Sequence, residues 1–372
     1  CERQRRDLER AAADPAWLYV YSTRAASDVC RFLERLPHVE GTWRLPTIEL
    51  HPSQAFFVAQ LFGFRDSEWN RRFTMALYST GRKGAKSTLA AAILLYCFCC
   101  EDENGAQVIT AARTNDQARK VFDPAKAMVE RTPDLREAFG LEAFSKSIAR
   151  WQIGGSFKPI NAKASTQDGL NPSHVCLDEI HAHETHDLLN VLRSAAGARQ
   201  NPLWLYTTTE GYENPGPWSG LRTFAHQVLE RAVAAEHFLP LVFSVDEADG
   251  DFDERAWVKA NPLLDGHPAL LRELRKEALE ARHMPGQAAE FRVKRLNRRS
   301  SAAKAWLRLD RWRACSGAVD LAALEGVECW AGLDLAATTD ITALRLVWLV
   351  DGELHTWGRR WVPTDSVVQR TE

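Results

Sequence analysis

The chain has 372 residues, 45% of them hydrophobic and 26% charged, enough to bury a substantial core and to form two domains. Its formal net charge of −2 excludes a uniformly basic nucleic-acid binder and leaves only local patches for that role. No run approaches the roughly 18 apolar residues of a membrane span, and no basic-then-apolar leader opens the chain, so the sequence predicts a soluble intracellular protein without a membrane partner.

The chain starts at Cys1 rather than Met and stops at Glu372, which predicts a fragment of a longer product. Eight cysteines are scattered along it, and Cys97 and Cys100 form a lone C-x-x-C inside an apolar segment. Without a second pair at zinc spacing they read as buried thiols in a reducing compartment.

Residues 1–40 are Arg-rich and helical in pattern, with Trp17, Leu18, Tyr21, Val29, Phe32 and Leu36 as an irregular apolar stripe. The segment reads as a solvated helical face or as a positive end for an acidic partner. Pro52 predicts a helix from Ser53 with Phe56, Phe57, Gln60 and Leu61 facing inward. Gln54 lies in its first turn. Several nucleotide-driven motors place a glutamine upstream of a phosphate loop to hydrogen-bond the adenine edge, whereas on its own Gln54 is a polar helix residue.

Phe73 to Tyr78 reads as a strand, Ser79 to Lys86 as a Gly- and Lys-containing loop, and Ser87 onward as an Ala-rich apolar helix. That order is a phosphate-binding loop, in which backbone N–H groups and the positive end of the helix converge on an anion. In the pattern G-x-x-x-x-G-K-[ST] the Lys reaches the β- and γ-phosphates and the hydroxyl holds Mg²⁺; here these are Lys86 and Ser87. The cradle comprises Gly81, Arg82, Lys83, Gly84 and Ala85, continuing through Lys86 and Ser87 to Thr88. The two usual glycine positions are Thr80 and Ala85, and a left-handed Ala85 costs roughly 1–2 kcal/mol. The plain alternative is a basic turn between a strand and a helix.

Ala106 to Ala112 reads as a strand, and Thr114 with Gln117 as the capping box of a following helix. Arg113 sits at the strand's carboxyl end, where open α/β sheets place ligand-contacting groups. Arg150–Ile153 and Ser156–Asn161 flank Gly154-Gly155, a hairpin signal. Val175–Leu177 is a short strand ending in Asp178 and Glu179. In phosphate-loop ATPases the acid closing such a strand holds Mg²⁺ and the next carboxylate polarises the attacking water. His181, His183 and His186, beside Glu184 and Asp187, raise a zinc reading, but a surface helix start fits them better.

Pro202–Thr208 is a further strand, and its end, Thr207 to Gly211, is either a γ-phosphate sensor or a Thr-rich strand end. Phe238–Val245 gives a fifth strand. From 246 to about 304 the pattern turns to polar helices rich in Arg and Lys, including Arg272, Arg275, Lys276, Arg292 and Lys294. These suit a phosphate backbone or, with Glu273, Glu277, Glu280 and Glu290 interleaved, a salt-bridged surface. At Glu328 a β-meander begins, its second connection an Asp351-Gly352 hairpin. Asp334 stands mid-strand in an apolar run, where an unpaired carboxylate is costly to bury, and Asp340 follows it. A carboxylate on the first strand of such a meander opens the two-metal site of ribonuclease H-like nucleases, or is hydrogen-bonded at a strand edge.

Taken in order, PSQAFFVAQLFGF, GRKGAKS, ITAARTNDQARKVF, DGLNPSHVCLDEIHAHE, TTTEG, WVKANP, EFRVKRLN and GLDLAATTDITAL resemble the large terminase subunit of tailed bacteriophages, over most of the chain from about Gly41 onward. The resemblance implies a motor that uses ATP and Mg²⁺ to package double-stranded DNA. Its expected partners are a portal protein and a small terminase subunit, in a homo-oligomeric ring working in the host cytoplasm. By the same resemblance Gln54 contacts adenine, Arg82 and Lys86 the phosphates, Ser87 and Asp178 the magnesium, and Glu179 the water. Thr208 belongs to the coupling motif, and Asp334 with Asp340 to a nuclease site for Mg²⁺ or Mn²⁺. The chain departs from the family in carrying Ala85 where Gly usually precedes the Lys, and it stops before the nuclease's later carboxylates.

The reading is an α/β protein. An N-terminal helical segment (1–40) precedes a P-loop NTPase domain of RecA/ASCE-like type with a mainly parallel sheet (41–245). A helical lid or linker (246–327) and the start of a ribonuclease H-like nuclease domain (328–372) follow. Arg82 is expected to stabilise phosphate charge in cis. The rivals are a helicase, since Asp178-Glu179-Ile180-His181 also spells D-E-x-H, and a non-catalytic nucleotide-binding scaffold for capsid assembly.

Overall fold

Five apolar runs alternate with helical segments, and both faces of the resulting strands are covered, which is why they read as near-continuous Val, Leu, Ile and Ala rather than as alternation. The computed structural model describes residues 2–41, 43–101, 103–161, 170–197, 199–212, 216–300, 312, 314–335 and 341–362. The chain divides into two compact units, residues 1–305 and 306–372.

In the first unit, α1 (Glu2–Ala13), β1 (Val20–Tyr21), α2 (Thr23–Arg35), α3 (Pro52–Gly63) and β2 (Phe64–Arg65) precede the main sheet. Then follow β3 (Met75–Ser79), α4 (Lys86–Cys100), β4 (Gln107–Ala112), α5 (Asn115–Arg131), α6 (Pro133–Phe139), β5 (Leu141–Ala143), β6 (Ile148–Arg150) and β7 (Gly155–Asn161). The order continues with β8 (His174–Asp178), α7 (Asp187–Ala195), β9 (Leu203–Thr208), α8 (Pro217–Leu229) and β10 (Phe238–Val242), and closes with α9 (Trp257–Ala260), α10 (Pro268–His283) and α11 (Pro285–Lys294).

The eight-stranded sheet runs β10-β3-β9-β8-β4-β7-β6-β5. It is parallel from β10 to β7 and antiparallel at the β7-β6-β5 edge. β9 therefore lies between the loop strand β3 and the acidic strand β8, with Ser79 opposite Thr208 and Asp178 opposite Thr207. This register brings three strand ends to one edge, where open α/β sheets bind ligands.

Helix α4 is apolar all round and buried along nearly its whole length, as a central helix must be. It packs with α2, α3 and α5 into one core on one side of the sheet, while Ile180, Leu188, Leu192, Trp218 and Ala225 fill the other side. A third, smaller core of Val245, Trp257, Leu274, Phe291 and Leu296 holds the helical segment after β10 together.

Beneath α4, Glu101 is buried between Arg71, which donates to both its oxygens at 2.7 and 3.1 Å, and His174, whose Nε2 lies 2.9 Å away. The burial raises the Glu101 carboxyl, but Arg71 and His174 outweigh it and hold the group at about 2.

One local expectation changes within this unit. Trp151–Ile153 forms a 3-10 turn instead of a strand arm, because Gly154 at φ 61 closes the turn and passes the hairpin pairing from Arg150 to Gly155. The basic helical segment is largely neutralised on its own surface: Arg275 pairs with Glu254, Arg292 and Arg298 with Asp251, Lys294 with Glu290, and Arg295 with Glu277. Of its two readings, the salt-bridged surface is the one these pairs form.

In the second unit β11 (Trp330–Asp334), β12 (Thr342–Val350) and β13 (Glu353–Trp361) form an antiparallel meander. Asp351 and Gly352, both at positive φ, make its tight turn. Asp334 is the last residue of β11 and exposed, not a buried mid-strand carboxylate, because the whole strand carries its residues exposed. Asp340 lies outside the described residues.

Candidate nucleotide site

The loop between β3 and α4 turns through two left-handed non-glycine residues, Lys83 at φ 68 and Ala85 at φ 52. Ala85 is the N-cap of α4. Ala85→Gly would relieve roughly 1–2 kcal/mol of strain against about 0.4–1 kcal/mol of added unfolded-chain entropy. The expected net is a stabilisation of up to about 1.6 kcal/mol, read as a higher denaturation midpoint at unchanged slope; a lower midpoint would contradict the strain.

The two actual glycines answer to crowding rather than to φ. A Cβ on Gly81 would stand 2.3 Å from Asn261 Oδ1 and 2.7 Å from the Arg295 carbonyl, and one on Gly84 2.6 Å from Thr80 Cγ2.

Lys86 is buried, its Nζ 3.3 Å from the carbonyls of Thr80 and Gly81. Burial pushes its pKa down, opposed by the carboxylates of Glu179 and Asp178. A desolvated ammonium in a loop of backbone donors favours an anion there.

Across the loop, Ser87 Oγ donates to Asp178 Oδ2 at 3.1 Å and Thr207 Oγ1 donates to Asp178 Oδ1 at 2.6 Å. Burial, then the Glu179 charge, raise the Asp178 carboxyl. A buried carboxylate with a hydroxyl against it, both oxygen donors, is a set suited to a hard divalent cation.

Glu179 follows in left-handed conformation, φ 49 and ψ 49, which breaks the strand's alternation immediately after Asp178. Its Oε2 is 3.1 Å from His181 Nδ1, and the same ring nitrogen is 2.9 Å from Thr208 Oγ1. Burial raises the Glu179 carboxyl, but His181 and the Lys86 ammonium together bring it down to about 2, so it is ionised at neutral pH. Thr208 is buried and also receives the His181 backbone N–H.

Gln54 spends its Oε1 on the His51 N–H in a capping box at the start of α3. It lines a cavity of about 450 Å³ beside the loop, together with Ala85, Thr88, Leu89, Trp43 and Leu263. Lys83 also lines this cavity and pairs with Glu273. Arg82 lines a different cavity, with Glu277, Glu280, Glu290 and Lys294.

The structure thus brings together Lys86, Ser87, Asp178, Glu179 and Thr208, with Gln54 and Thr88 at the adjoining cavity. Asp334 belongs to the other unit. Among the described residues the one cluster at metal-ligand spacing is Cys97, Glu101 and His174, whose carboxylate is already engaged by Arg71. His181 is directed to Glu179 and Thr208, which leaves the H-x-H zinc reading without support.

Sequence reasoning did not single out His181 as the partner of Glu179, nor Asn261 and Asn297, which meet the loop and the end of β9. The signal for Asn297 was a weak one: an asparagine just past a helical run is one of the few residues that tolerates the left-handed region.

A phosphate loop, an acid pair and an intervening strand define a P-loop nucleotide-binding domain with a RecA/ASCE-like parallel sheet. Residues 52–227 match the family model of the terminase large subunit ATPase domain, and residues 232–367 that of the terminase large subunit endonuclease domain. The chain belongs to the terminase large-subunit family.

It is 28% identical over 353 residues to the terminase large subunit of Enterobacteria phage HK97, covering 92% of this chain and 66% of that protein. It is 30% identical over 235 residues to protein YmfN of Escherichia coli K12, covering 61% of this chain and 51% of that protein. The crystal structure of the HK97 large terminase shares the fold, with a TM-score of 0.63 at 24% identity over 93% of this chain and 70% of that one. The chain spans about half to two thirds of the length of these two curated relatives. An ATPase domain implies nucleotide use, and domains of both kinds typically work with a divalent metal. No helix among the described residues is long and apolar enough to cross a membrane.

Proposed function

We propose that this chain is the ATP-hydrolysing motor portion of a large terminase subunit that packages double-stranded DNA. The observation that carries the reading is the convergence of Lys86, Ser87, Asp178 and Glu179 on one sheet edge, with Asp178 held by Ser87 and Thr207.

In this reading Lys86 and the N–H groups at the start of α4 bind the phosphates of ATP, and the apolar cavity beside Gln54 takes the base. Ionised Glu179, oriented by His181, accepts the proton of the attacking water. Mg²⁺, held by Ser87 and Asp178, would neutralise charge on the phosphates when bound. Thr208, whose hydroxyl meets the His181 ring beside Glu179, registers loss of the γ-phosphate in this reading. Arg82 is proposed to approach the phosphates as a cis arginine.

Domain limits of 1–40, 41–245, 246–327 and 328–372 are proposed, with Asp334 and Asp340 beginning a nuclease site for Mg²⁺ or Mn²⁺. Portal protein, a small terminase subunit and other copies of the chain in a ring are the proposed partners, in the host cytoplasm.

ATP turnover measured with and without double-stranded DNA tests the reading: hydrolysis that DNA stimulates supports it, and nucleotide binding without turnover under either condition points to the scaffold. Gln54→Ala is expected to weaken ATP binding roughly 3–10-fold, the worth of one hydrogen bond, and to narrow the preference for ATP over GTP. Equal affinities for parent and variant would remove Gln54 from the base site.

A further inference from the structure

The end of β9, the first half of the phosphate loop and the helical segment after β10 meet at two asparagines. Asn297 is buried and left-handed, φ 51, a conformation its short polar side chain tolerates. Its amide uses both faces: Oδ1 accepts the Glu210 N–H at 2.5 Å, while Nδ2 donates to Ser79 Oγ at 2.9 Å and to the Phe243 carbonyl at 2.7 Å. Its own carbonyl accepts from Ser244 Oγ at 2.9 Å. One side chain therefore joins the last residue of β3, the residue after β10, and the backbone just past the β9 threonines.

Glu210 is in turn fixed by Trp218 Nε1 at 2.6 Å and Arg222 Nε at 2.7 Å, both on α8. A second set of bonds fastens the loop to the same helical segment. The Gly81 N–H donates to the Ala260 carbonyl at 2.9 Å, the Arg82 N–H to the Lys294 carbonyl at 2.6 Å, and Arg295 Nη1 to the Arg82 carbonyl at 2.9 Å. Asn261 Nδ2 donates to the Arg295 carbonyl at 2.8 Å and locks the two stretches of the segment to each other.

We infer that Asn297 is a positioning residue that makes the strand end at Glu210, the loop at Ser79 and the helical segment 246–300 respond together to the state of the nucleotide site. Only a side chain that is at once donor and acceptor, on a left-handed backbone, makes all three contacts. A carboxylate keeps the bond from Glu210 and accepts from the rotatable Ser79 hydroxyl but sets an oxygen against the Phe243 carbonyl; a glycine keeps the backbone, with its carbonyl tie to Ser244, and drops every side-chain tie. The inference rests on the proposed nucleotide reading of the site.

Hydrogen exchange by mass spectrometry on the full 372-residue chain, with and without Mg²⁺ and the slowly hydrolysed analogue ATPγS, tests it once affinity has been measured. The parent is expected to show nucleotide-dependent exchange at residues 79–82, 208–211 and 285–297. N297G should keep its affinity within about threefold, since the amide touches no proposed phosphate ligand, yet lose the response at 285–297 and lower kcat more than KM. N297D, which keeps the ties to Glu210 and Ser79 but not the one to Phe243, should restore part of that response at unchanged affinity, and a purely structural role predicts no split between response and affinity.

Should N297G not fold, Ser79→Ala removes the single arm to the loop and is expected to lose the response at 285–297. A parental response in folded N297G or S79A overturns the inference. A parent that binds no nucleotide overturns the nucleotide reading, and the inference with it.

Discussion

Replacing Glu179 by Gln is expected to lower ATP turnover by about 10²–10⁴-fold, the usual worth of a positioned general base, with nucleotide affinity retained. Lys86, Ser87 and Asp178, which face the phosphates and the metal, are untouched by the change. The environment of Glu179 fixes its charge state. Its carboxyl, raised by burial, is brought to about 2 by His181 and Lys86, so the group is a carboxylate at neutral pH. An amide of the same shape has no site for the proton the attacking water must lose.

Held down by His181 and Lys86, the Glu179 carboxyl adds no acid limb to the pH–rate profile near neutral pH. Steady-state turnover and a binding titration on parent and variant check both parts. Unchanged turnover removes Glu179 from the role of base; lost binding makes it a ligand instead.

Glu101→Gln is expected to destabilise the fold by about 3–5 kcal/mol, because it leaves the fully buried Arg71 guanidinium without its counter-charge. The same group sets a pH dependence. Its folded value of about 2 lies below the ordinary 4.5, so the folded state holds that proton more weakly than the unfolded chain. The stabilisation is complete above about 4.5 and is lost as pH falls through about 2; by linkage it amounts to roughly 3 kcal/mol.

Denaturant titrations at pH 7 and at pH 3 should show the parent losing stability steeply across that interval and the variant losing less, from a lower start. Equal midpoints for the two proteins at pH 7 would show that the Arg71–Glu101–His174 cluster does not hold the α4 end to the sheet.

The parts of the site legible in the sequence are those carried by local order. A strand, a loop with Lys86-Ser87 and an apolar helix can fold in few ways, and a strand ending in Asp178-Glu179 fits the same sheet. Helix α5 was legible because Thr114 caps it through its own side chain, accepting the Gln117 N–H.

What the sequence left open depends on partners distant along the chain. Nothing near His181 announces that Thr208, 27 residues on, will hold its ring against Glu179. The lysines and arginines after residue 246 carry the same letters whether they face solvent or pair with Asp251 and Glu277, and only the packing decides that they pair. Gly81 stands one residue inside the usual glycine position, and its role is set by Asn261 closing on it from 180 positions away. The helicase reading calls for a second ATPase-like α/β domain; among the described residues, 246–300 form helices packed on Val245, Trp257 and Phe291.

Titration calorimetry of ATPγS with Mg²⁺ into the parent, Lys86→Ala and Asp178→Asn addresses most directly whether Lys86 and the Asp178-Glu179 pair serve one triphosphate. One site per chain is predicted in the parent. Affinity should fall about 100-fold in Lys86→Ala, where a charge-assisted contact is lost, and should no longer depend on Mg²⁺ in Asp178→Asn. Binding in Lys86→Ala equal to the parent, or an Asp178→Asn variant with full Mg²⁺ dependence, would contradict the account.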